Sequence, residues 1–302
     1  PGPCTILGTG FTAAAPQAAL ANGAMAHALD YEDAFDASPA HPNASLVPAL
    51  LALAEDRGGV DGKRLIAAIA VGCDLSCRIG LALDRPMEQG GWYPPPINAG
   101  FGAALGAAHL LGLDARGMRD AISIMLCQSV MPGEIKYSQR TVLRAVREAF
   151  PAQAAVTSAQ LAAGGVAGFE TPLEGRGGFY ALFAGVEYSA DRLAEGIGAH
   201  FLVEDLTFKP WPSCRGTHPF IEIGLELAKN GPSAIESVEV EVSPVQQMLV
   251  EPLERKRAPD VVIDARFSIP FAMALAIVRG RAGLDDFAPD CCLLYTSDAA
   301  DE

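Results

Sequence analysis

The sequence has few basic residues and no long uninterrupted apolar run. Its 302 residues include 22 Lys and Arg against 36 Asp and Glu, which gives a net charge of -14. A surface of this sign repels phosphate, which argues against a nucleic-acid partner or an anionic membrane surface. The longest apolar stretches, 65–72 and 103–113, end before the roughly 20 residues that a transmembrane helix needs. We therefore expect no nucleic-acid partner and no membrane association.

Cysteine is scarce and irregularly spaced. Seven cysteines occur, with no C-x-x-C pair among them. An odd, irregular set is typical of reduced thiols, which indicates a cytoplasmic protein rather than a secreted disulfide framework. Cys73 and Cys77 share one predicted helix face, where we expect packing rather than metal binding. The chain starts at Pro1 without a basic-then-apolar leader, so we expect a fragment rather than a targeting signal.

Glycine-rich phosphate loops are absent as well. No Gly-x-x-x-x-Gly-Lys sequence occurs, and Gly8-Thr9-Gly10 has Ala13 where a dinucleotide-binding fingerprint needs its third glycine. The sequence therefore gives no support for a nucleotide cofactor.

The sequence is rich in small and aliphatic residues, which make up much of its 50% hydrophobic content. Before about residue 205 they recur at the three-to-four spacing of helices. The alanine-rich and glycine-rich stretches carry almost no charge, which predicts closely packed, buried helices. The predicted helices cover residues 13–29, 44–54, 62–83, 100–111, 115–127, 147–163 and 190–197.

The pattern changes after about residue 205. Residues 237–243 alternate between Val and polar side chains, which is the period of a half-buried strand. Helices are predicted over 219–229 and over 268–279, with Gly280 as the stop of the second. We therefore predict a mainly α fold, with a large multi-helix domain at 1–205 and a partial α+β domain at 206–290. Residues 291–302 break this pattern and are expected to be a non-native tail.

An acidic loop follows the first predicted helix. Asp30, Glu32, Asp33 and Asp36 lie close together, and His41 follows at the start of the next helix. A carboxylate near an imidazole orients the ring and raises its basicity, which suits a general base. Asp and His also suit divalent metal ions. The acids equally suit helix capping, so catalysis, metal binding and a structural role stay open from residue types alone.

Two further groups carry positive charge. Lys136, Arg140, Arg144 and Arg147 would form one cationic stripe on a helix, suited to carboxylate or phosphate, or a solvated face paired with acids. Lys209 lies between aromatic residues, where burial would lower its pKa or require a bound anion. Equally, its stem could pack on the aromatic rings while its ammonium reaches water.

Other residues near Lys209 and in the helical part are less specific. Cys214 and His218 are four residues apart, but we expect an inert thiol there. Trp92-Tyr93 followed by three prolines forms a rigid aromatic turn that lines a cavity or stiffens a connection.

Several separate motifs occur in an order that resembles one known family. They are His27-Ala28-Leu29-Asp30-Tyr31-Glu32-Asp33 with His41-Pro42, then Pro48, Phe101-Gly102-Ala103-Ala104 with Gly112-Leu113, Leu173-Glu174-Gly175 with Gly178-Phe179, Lys209 to His218, and Ala265-Arg266-Phe267-Ser268-Ile269-Pro270-Phe271. This order resembles the MmgE/PrpD family, which includes 2-methylcitrate dehydratase and is similar to cis-aconitate decarboxylase. The resemblance covers about residues 1–288.

The resemblance implies a large helical domain, a smaller α+β lid, a homodimer, and lyase chemistry with no organic cofactor and no metal. By position, Asp30 and His41 match pocket residues of the family, and Lys209 matches an active-site lysine. Arg144 stands where the decarboxylase has a lysine, and Tyr93 stands where many members have a His. Ala34 replaces a Thr of the decarboxylase, which weakens a decarboxylase assignment most.

Together these observations predict a cleft that binds a di- or tricarboxylate of the 2-methylcitrate type. His41, oriented by Asp30, would remove a proton next to a carboxylate, with Lys209 binding the anion and Tyr93 as an alternative proton donor. Loss of hydroxide would complete a dehydration, and loss of carbon dioxide is the variant outcome. A non-catalytic carboxylate-binding homologue and a metal-dependent hydrolase are the competing classes. The predicted substrate-binding residues are Arg144, Arg147, Arg215 and His218.

Overall fold

The described part of the chain folds mainly into α-helices, which confirms the predicted class. A computed structural model describes residues 2–138, 141–232 and 235–288. Arg140 of the predicted cationic stripe and the predicted tail at 291–302 lie outside the described residues. The chain forms two compact units. The first comprises Pro1–His27, Glu32–Tyr137 and Val146–Phe208, and the second comprises Ala28–Tyr31, Ser138–Ala145 and Lys209–Glu302.

The helices of the first unit follow the predicted pattern closely. One helix begins earlier than predicted, at Pro94, because prolines are tolerated in the first turn of a helix, where the backbone N–H groups need no intrahelical partner. A short antiparallel pair, β1 (Cys4–Thr5) and β2 (Thr12–Ala13), precedes the helices. These are α1 (Ala15–His27), α2 (Asn43–Asp56), α3 (Gly62–Leu81), α4 (Pro94–Leu111), α5 (Ala115–Leu126), α6 (Ala149–Ala163), α7 (Phe179–Phe183) and α8 (Ala190–Ala194).

The core of the first unit forms around α4, which packs against α2, α3, α5 and α6. Small residues let these backbones approach closely: a Cβ atom added to Gly72 on α3 would lie 2.8 Å from the carbonyl oxygen of Gly102 on α4. Larger side chains such as Leu46, Leu50 and Phe101 fill the remaining space and are fully buried. The apolar, small-residue composition of α4 thus explains its central position.

The second unit is built on two helices that cross closely. Its helices are α9 (His218–Ala228), α10 (Leu253–Arg257), α11 (Val262–Arg266) and α12 (Ile269–Arg279). Helices α9 and α12 pack together, and Gly280 ends α12 with a φ of 64°, as its predicted stop requires. Phe271 and Phe287 belong to one apolar cluster beside these helices.

The strand predicted at 237–243 is not formed in the described residues. Val238 is exposed, while Val240 and Val242 pack as partly buried residues against the apolar cluster of Ile269 and Met273. The alternating pattern indicates which side chains turn inward, but a strand also requires a partner for its backbone groups. No strand among the described residues pairs with this segment.

The prediction that the cations at 136–147 share one face of a helix is wrong. Lys136 ends a short 3-10 helix (Gly133–Lys136), and residues 142–148 form bends and turns. The Thr141 hydroxyl accepts a hydrogen bond from the Leu143 backbone N–H, a local contact that competes with helix formation. Lys136 and Arg147 belong to the first unit, and Arg144 belongs to the second.

Among the described residues, no helix combines the length and apolar composition needed to span a bilayer.

Candidate active site

His41 lies just before α2 in the first unit, and a backbone carbonyl group orients its ring. Nδ1 lies 2.7 Å from the carbonyl oxygen of Asp33. A carbonyl only accepts hydrogen bonds, so Nδ1 carries the proton and Nε2 holds the lone pair of the neutral ring. The side chain is 16% exposed. This is the tautomer that a general base acting through Nε2 needs.

Glu32 lies between two imidazole rings. Its Oε1 atom is 3.0 Å from Nδ1 of His27 and 3.6 Å from Nδ1 of His41. The side chains of His27 and Glu32 are 0% and 4% exposed. A buried carboxylate at this distance stabilises a protonated His41 and limits the rotation of its ring. His27 and Glu32 both belong to the motif at 27–33, and Glu32 belongs to the acidic loop, but the sequence predicts no separate site role for either.

Asp33 anchors the start of α2. It accepts hydrogen bonds from the Asn43 backbone N–H at 3.3 Å and from Asn43 Nδ2 at 3.1 Å. Burial and the neighbouring Glu32 carboxylate raise the pKa of Asp33 to about 7. Cys73 and Cys77 lie nearby, and burial together with the Asp33 charge raises the pKa of both thiols. The two cysteines therefore stay protonated at neutral pH.

Tyr93 is the N-cap residue of α4, and its ring is buried between two cations. Lys136 Nζ is 5.3 Å and the Arg147 guanidinium carbon 5.1 Å from the ring centroid. Arg147 donates to Glu148 Oε1 at 3.1 Å, and Glu148 also accepts a hydrogen bond from Ser45. Glu148 is fully buried, so a carboxylate of the protein already balances the Arg147 charge.

Lys209 of the second unit forms a buried ion pair with Asp30. Its Nζ atom lies 3.1 Å from both the carboxylate Oδ1 and the carbonyl oxygen of Asp30, and the side chains are 0% and 1% exposed. Asp30 has a φ of 48°, a left-handed conformation that aspartate tolerates better than most residues. Of the alternatives that the sequence leaves open for Lys209, the structure shows burial beside an anion, and the protein itself supplies that anion through Asp30.

Arg266 on α11 attaches the loop of Asp30 to the segment of Lys209. Its Nη1 donates to the Leu29 carbonyl at 2.6 Å and to the Pro212 carbonyl at 2.7 Å. Nη2 donates to the Phe287 carbonyl at 3.3 Å. The guanidinium of Arg266 therefore binds both chain segments that carry the buried ion pair, the one with Asp30 and the one with Lys209.

Arg144 is also buried in the second unit. Its guanidinium carbon lies 3.4 Å from the centroid of the Phe267 ring, a stacked cation–π contact. The planar guanidinium holds its N–H donors in a fixed arrangement.

His218 begins α9, and its ring is buried against Trp211. Nε2 lies 3.2 Å from the Ser213 carbonyl oxygen, so Nε2 carries the proton, and Nδ1 has no partner among the described residues. Burial is the main cause that lowers the pKa of His218 to about 4, and the charges of Lys209 and Arg215 add to it. His218 is therefore neutral at pH 7 and suits a hydroxyl donor better than a carboxylate.

Cys214 and Arg215 are adjacent residues just before α9, and both are partly exposed. Arg215 begins a short 3-10 helix (Arg215–Thr217) and is partly exposed. Burial and the Asp30 charge raise the pKa of the Cys214 thiol, which argues against a thiolate nucleophile.

The predicted residues thus fall into two groups, one in each unit. The convergence of both groups on one cleft stays a prediction. The first unit holds His41, Tyr93 and Arg147, with His27 and Glu32 beside His41, and the second holds Asp30, Arg144, Lys209, Arg215 and His218.

Comparison with known proteins assigns both halves of the sequence to one family. The profile of the MmgE/PrpD N-terminal domain matches residues 1–190, and that of the MmgE/PrpD C-terminal domain matches residues 211–293. The chain is 24% identical over 309 residues to the cis-aconitate decarboxylase-like protein oryM of Aspergillus oryzae, which covers 95% of this chain and 64% of that protein. It is 26% identical over 307 residues to a cis-aconitate decarboxylase of Aspergillus terreus, covering 95% of this chain and 62% of that protein. The chain therefore spans less than two thirds of the length of these relatives.

Proposed function

Because the chain belongs to the MmgE/PrpD family, we propose that it acts as a cytoplasmic, homodimeric lyase on a small di- or tricarboxylate without an organic cofactor. The family includes lyases. The five cysteines of the described residues are free thiols, in keeping with a reducing compartment. The reaction proposed first is dehydration of a hydroxy acid of the 2-methylcitrate type.

The proposal depends first on His41 as the general base. Its Nε2 lone pair would take a proton from the carbon next to a substrate carboxylate, and the C–H electron pair would form the double bond. The hydroxyl group on the adjacent carbon would leave as water after taking a proton, for which Tyr93 is the proposed donor. Glu32, 3.6 Å from the ring, would stabilise the imidazolium that forms.

Cations of the second unit would stabilise the charge that builds up on the substrate carboxylate during proton removal. Lys209 and Arg144 are the proposed binding groups, with Asp30 holding the Lys209 ammonium in place. Neutral His218 would accept a hydrogen bond from the substrate hydroxyl at Nδ1. Arg215 is a further proposed contact, while the pairing of Arg147 with Glu148 predicts a smaller role for Arg147. The proposal requires both groups of residues to act on one substrate.

Decarboxylation is the second candidate, favoured by the names of the curated relatives. In that reaction the bond to one carboxylate carbon breaks, carbon dioxide leaves, and a protein acid protonates the remaining carbanion. The same cations would serve, since negative charge builds up on the substrate in both reactions. The two reactions differ in the release of water or carbon dioxide.

The test measures both products in the intact protein. We expect unsaturated product from 2-methylcitrate, or carbon dioxide from cis-aconitate, with turnover reduced at least 100-fold in His41→Ala and Lys209→Met. Lys229→Met is the matched control, since Lys229 is exposed and, in the described part of the chain, pairs with the neighbouring Glu226. Circular dichroism checks the fold of each variant. Ligand-dependent thermal stabilisation without any product would favour the non-catalytic binding protein, and full activity in His41→Ala would refute the assignment.

A further inference from the structure

Lys256 on α10 is a buried cation that sequence reasoning did not select. The residue is 3% exposed, and its Nζ atom donates to the Phe267 carbonyl at 2.7 Å. An ammonium group has three N–H donors. Within the described residues, Phe267 is the only hydrogen-bond partner of this group, so two of its buried donors have no acceptor in that part of the chain.

Arg144 contacts the same residue from its ring side. Its guanidinium stacks on the Phe267 ring, while Lys256 bonds to the Phe267 backbone. Two buried cations are thus held on one aromatic residue. Like charges at this proximity repel each other, and an anion between them would remove that cost.

The carboxylate of Asp264, which acts on Lys256, is already engaged. Asp264 accepts hydrogen bonds from Arg255 at 3.0 Å and 2.8 Å, so its charge is balanced by that guanidinium. Burial and the Arg144 charge lower the pKa of Lys256 to about 8; Arg255 acts in the same direction, and Asp264 and the Cys214 thiol oppose it. Lys256 is therefore only partly charged in the ligand-free protein above pH 8.

We infer that Lys256 and Arg144 together bind one carboxylate of the substrate, as an anion subsite additional to the Lys209–Asp30 pair. This inference rests on the proposed function. A tricarboxylate needs more positive charge than Lys209 supplies, because Asp30 already balances that ammonium. The two oxygens of a carboxylate could accept hydrogen bonds from both side chains, one from the planar guanidinium of Arg144 and one from the ammonium of Lys256.

A purely structural role is the alternative. Phe267 directly follows α11, so Lys256 also caps the carbonyl end of that helix. A cap contributes to stability but has no reason to change its protonation when an anion binds. Proton uptake on binding therefore separates the two roles.

The test is calorimetric titration of the intact protein with citrate at pH 8.5 in two buffers of different ionisation enthalpy. Binding next to a carboxylate restores the full charge of Lys256, so wild type takes up about 0.75 proton per citrate, given a starting pKa of about 8. Lys256→Arg keeps the charge permanently, so it binds citrate within about threefold of wild type and takes up no proton at this site. Lys256→Met binds about 10- to 100-fold more weakly, as expected for loss of a charge-assisted hydrogen bond. The exposed Lys229→Met control behaves as wild type.

Failure of the Lys256 subsite and failure of the proposed function give different results. Wild-type affinity in Lys256→Met, or wild-type proton uptake in Lys256→Arg, would overturn the subsite and leave Lys256 as a helix cap. If wild type binds neither citrate, 2-methylcitrate nor cis-aconitate, the proposed function itself fails. If Lys256→Met does not fold, the proton uptake of Lys256→Arg decides the question by itself.

Discussion

Replacing Asp33 with asparagine should stabilise the protein, and the gain should grow with pH. In the folded chain the pKa of Asp33 is about 7, against an ordinary value of 3.8. Between these two values the unfolded chain binds fewer protons than the folded one, so folding stability is lost as the pH rises through this window. The Asp33→Asn variant would keep an acceptor for the Asn43 N–H groups but would carry no charge at this position.

The size of the effect follows from the two pKa values. The full shift corresponds to about 4 kcal/mol at pH 8 and about 2 kcal/mol at pH 5. Asp33 retains some contact with solvent, so we take half of each figure. Asp33→Asn is therefore expected to be more stable than wild type by about 2 kcal/mol at pH 8 and by about 1 kcal/mol at pH 5.

Urea unfolding of both proteins at pH 5 and pH 8 measures this difference. Subtracting wild type from variant at each pH cancels the titration of all other groups. Asp36→Asn is the matched control, because it removes a carboxylate from an exposed position of the same loop; its stability should stay within about 0.5 kcal/mol of wild type. A gain for Asp33→Asn that is the same at both pH values, or a loss of stability at pH 8, would refute the reasoning that ionisation of buried Asp33 destabilises the folded chain.

Two further substitutions test the fold around the site. His218→Gln should reduce the loss of stability in acid. The folded pKa of His218, about 4, lies below the ordinary 6.5, so this residue contributes a loss of about 3 kcal/mol as the pH falls from 6.5 to 4, and the difference between thermal melts of wild type and variant across that range should show this contribution. Gly72→Ala should lower the free energy of unfolding by about 1–3 kcal/mol, because its Cβ would meet the Gly102 carbonyl, whereas Gly10→Ala meets open space and should change little; equal urea midpoints for the two alanine variants would contradict the close helix contact.

The helices were predictable because their signal is local. Small residues at three-to-four spacing predict both the helix and its buried face. Gly280 predicts a helix end because glycine adopts positive φ without strain. The segment at 237–243 shows the limit of such patterns. Alternation reports which side chains turn inward, but strand formation depends on a partner that the local sequence does not name.

The site residues were predictable by type and less so by partner. Sequence reasoning selected Asp30, His41 and Lys209, and the structure pairs Asp30 with Lys209 at 3.1 Å across 179 residues of sequence. The groups that hold His41 within its unit are the Asp33 carbonyl and Glu32, and a backbone carbonyl leaves no mark in a sequence.

Lys256 shows a further limit, because a lysine in a charged stretch is normally exposed, and only the tertiary structure reveals its burial.

The hydrogen bonds of Arg266 impose an order on the assembly of the second unit during synthesis. Its guanidinium holds the Leu29 carbonyl beside Asp30 and the Pro212 carbonyl beside Lys209, and its bond to Leu29 closes a loop of 237 residues. Contacts at such separation form late, because loop closure must precede them. While the chain emerges from the ribosome, α1 and the loop that follows it are complete long before residue 266 is made. The buried charges of Asp30 and Lys209 therefore gain their surroundings among the last events of folding, after almost all of the described chain has been translated.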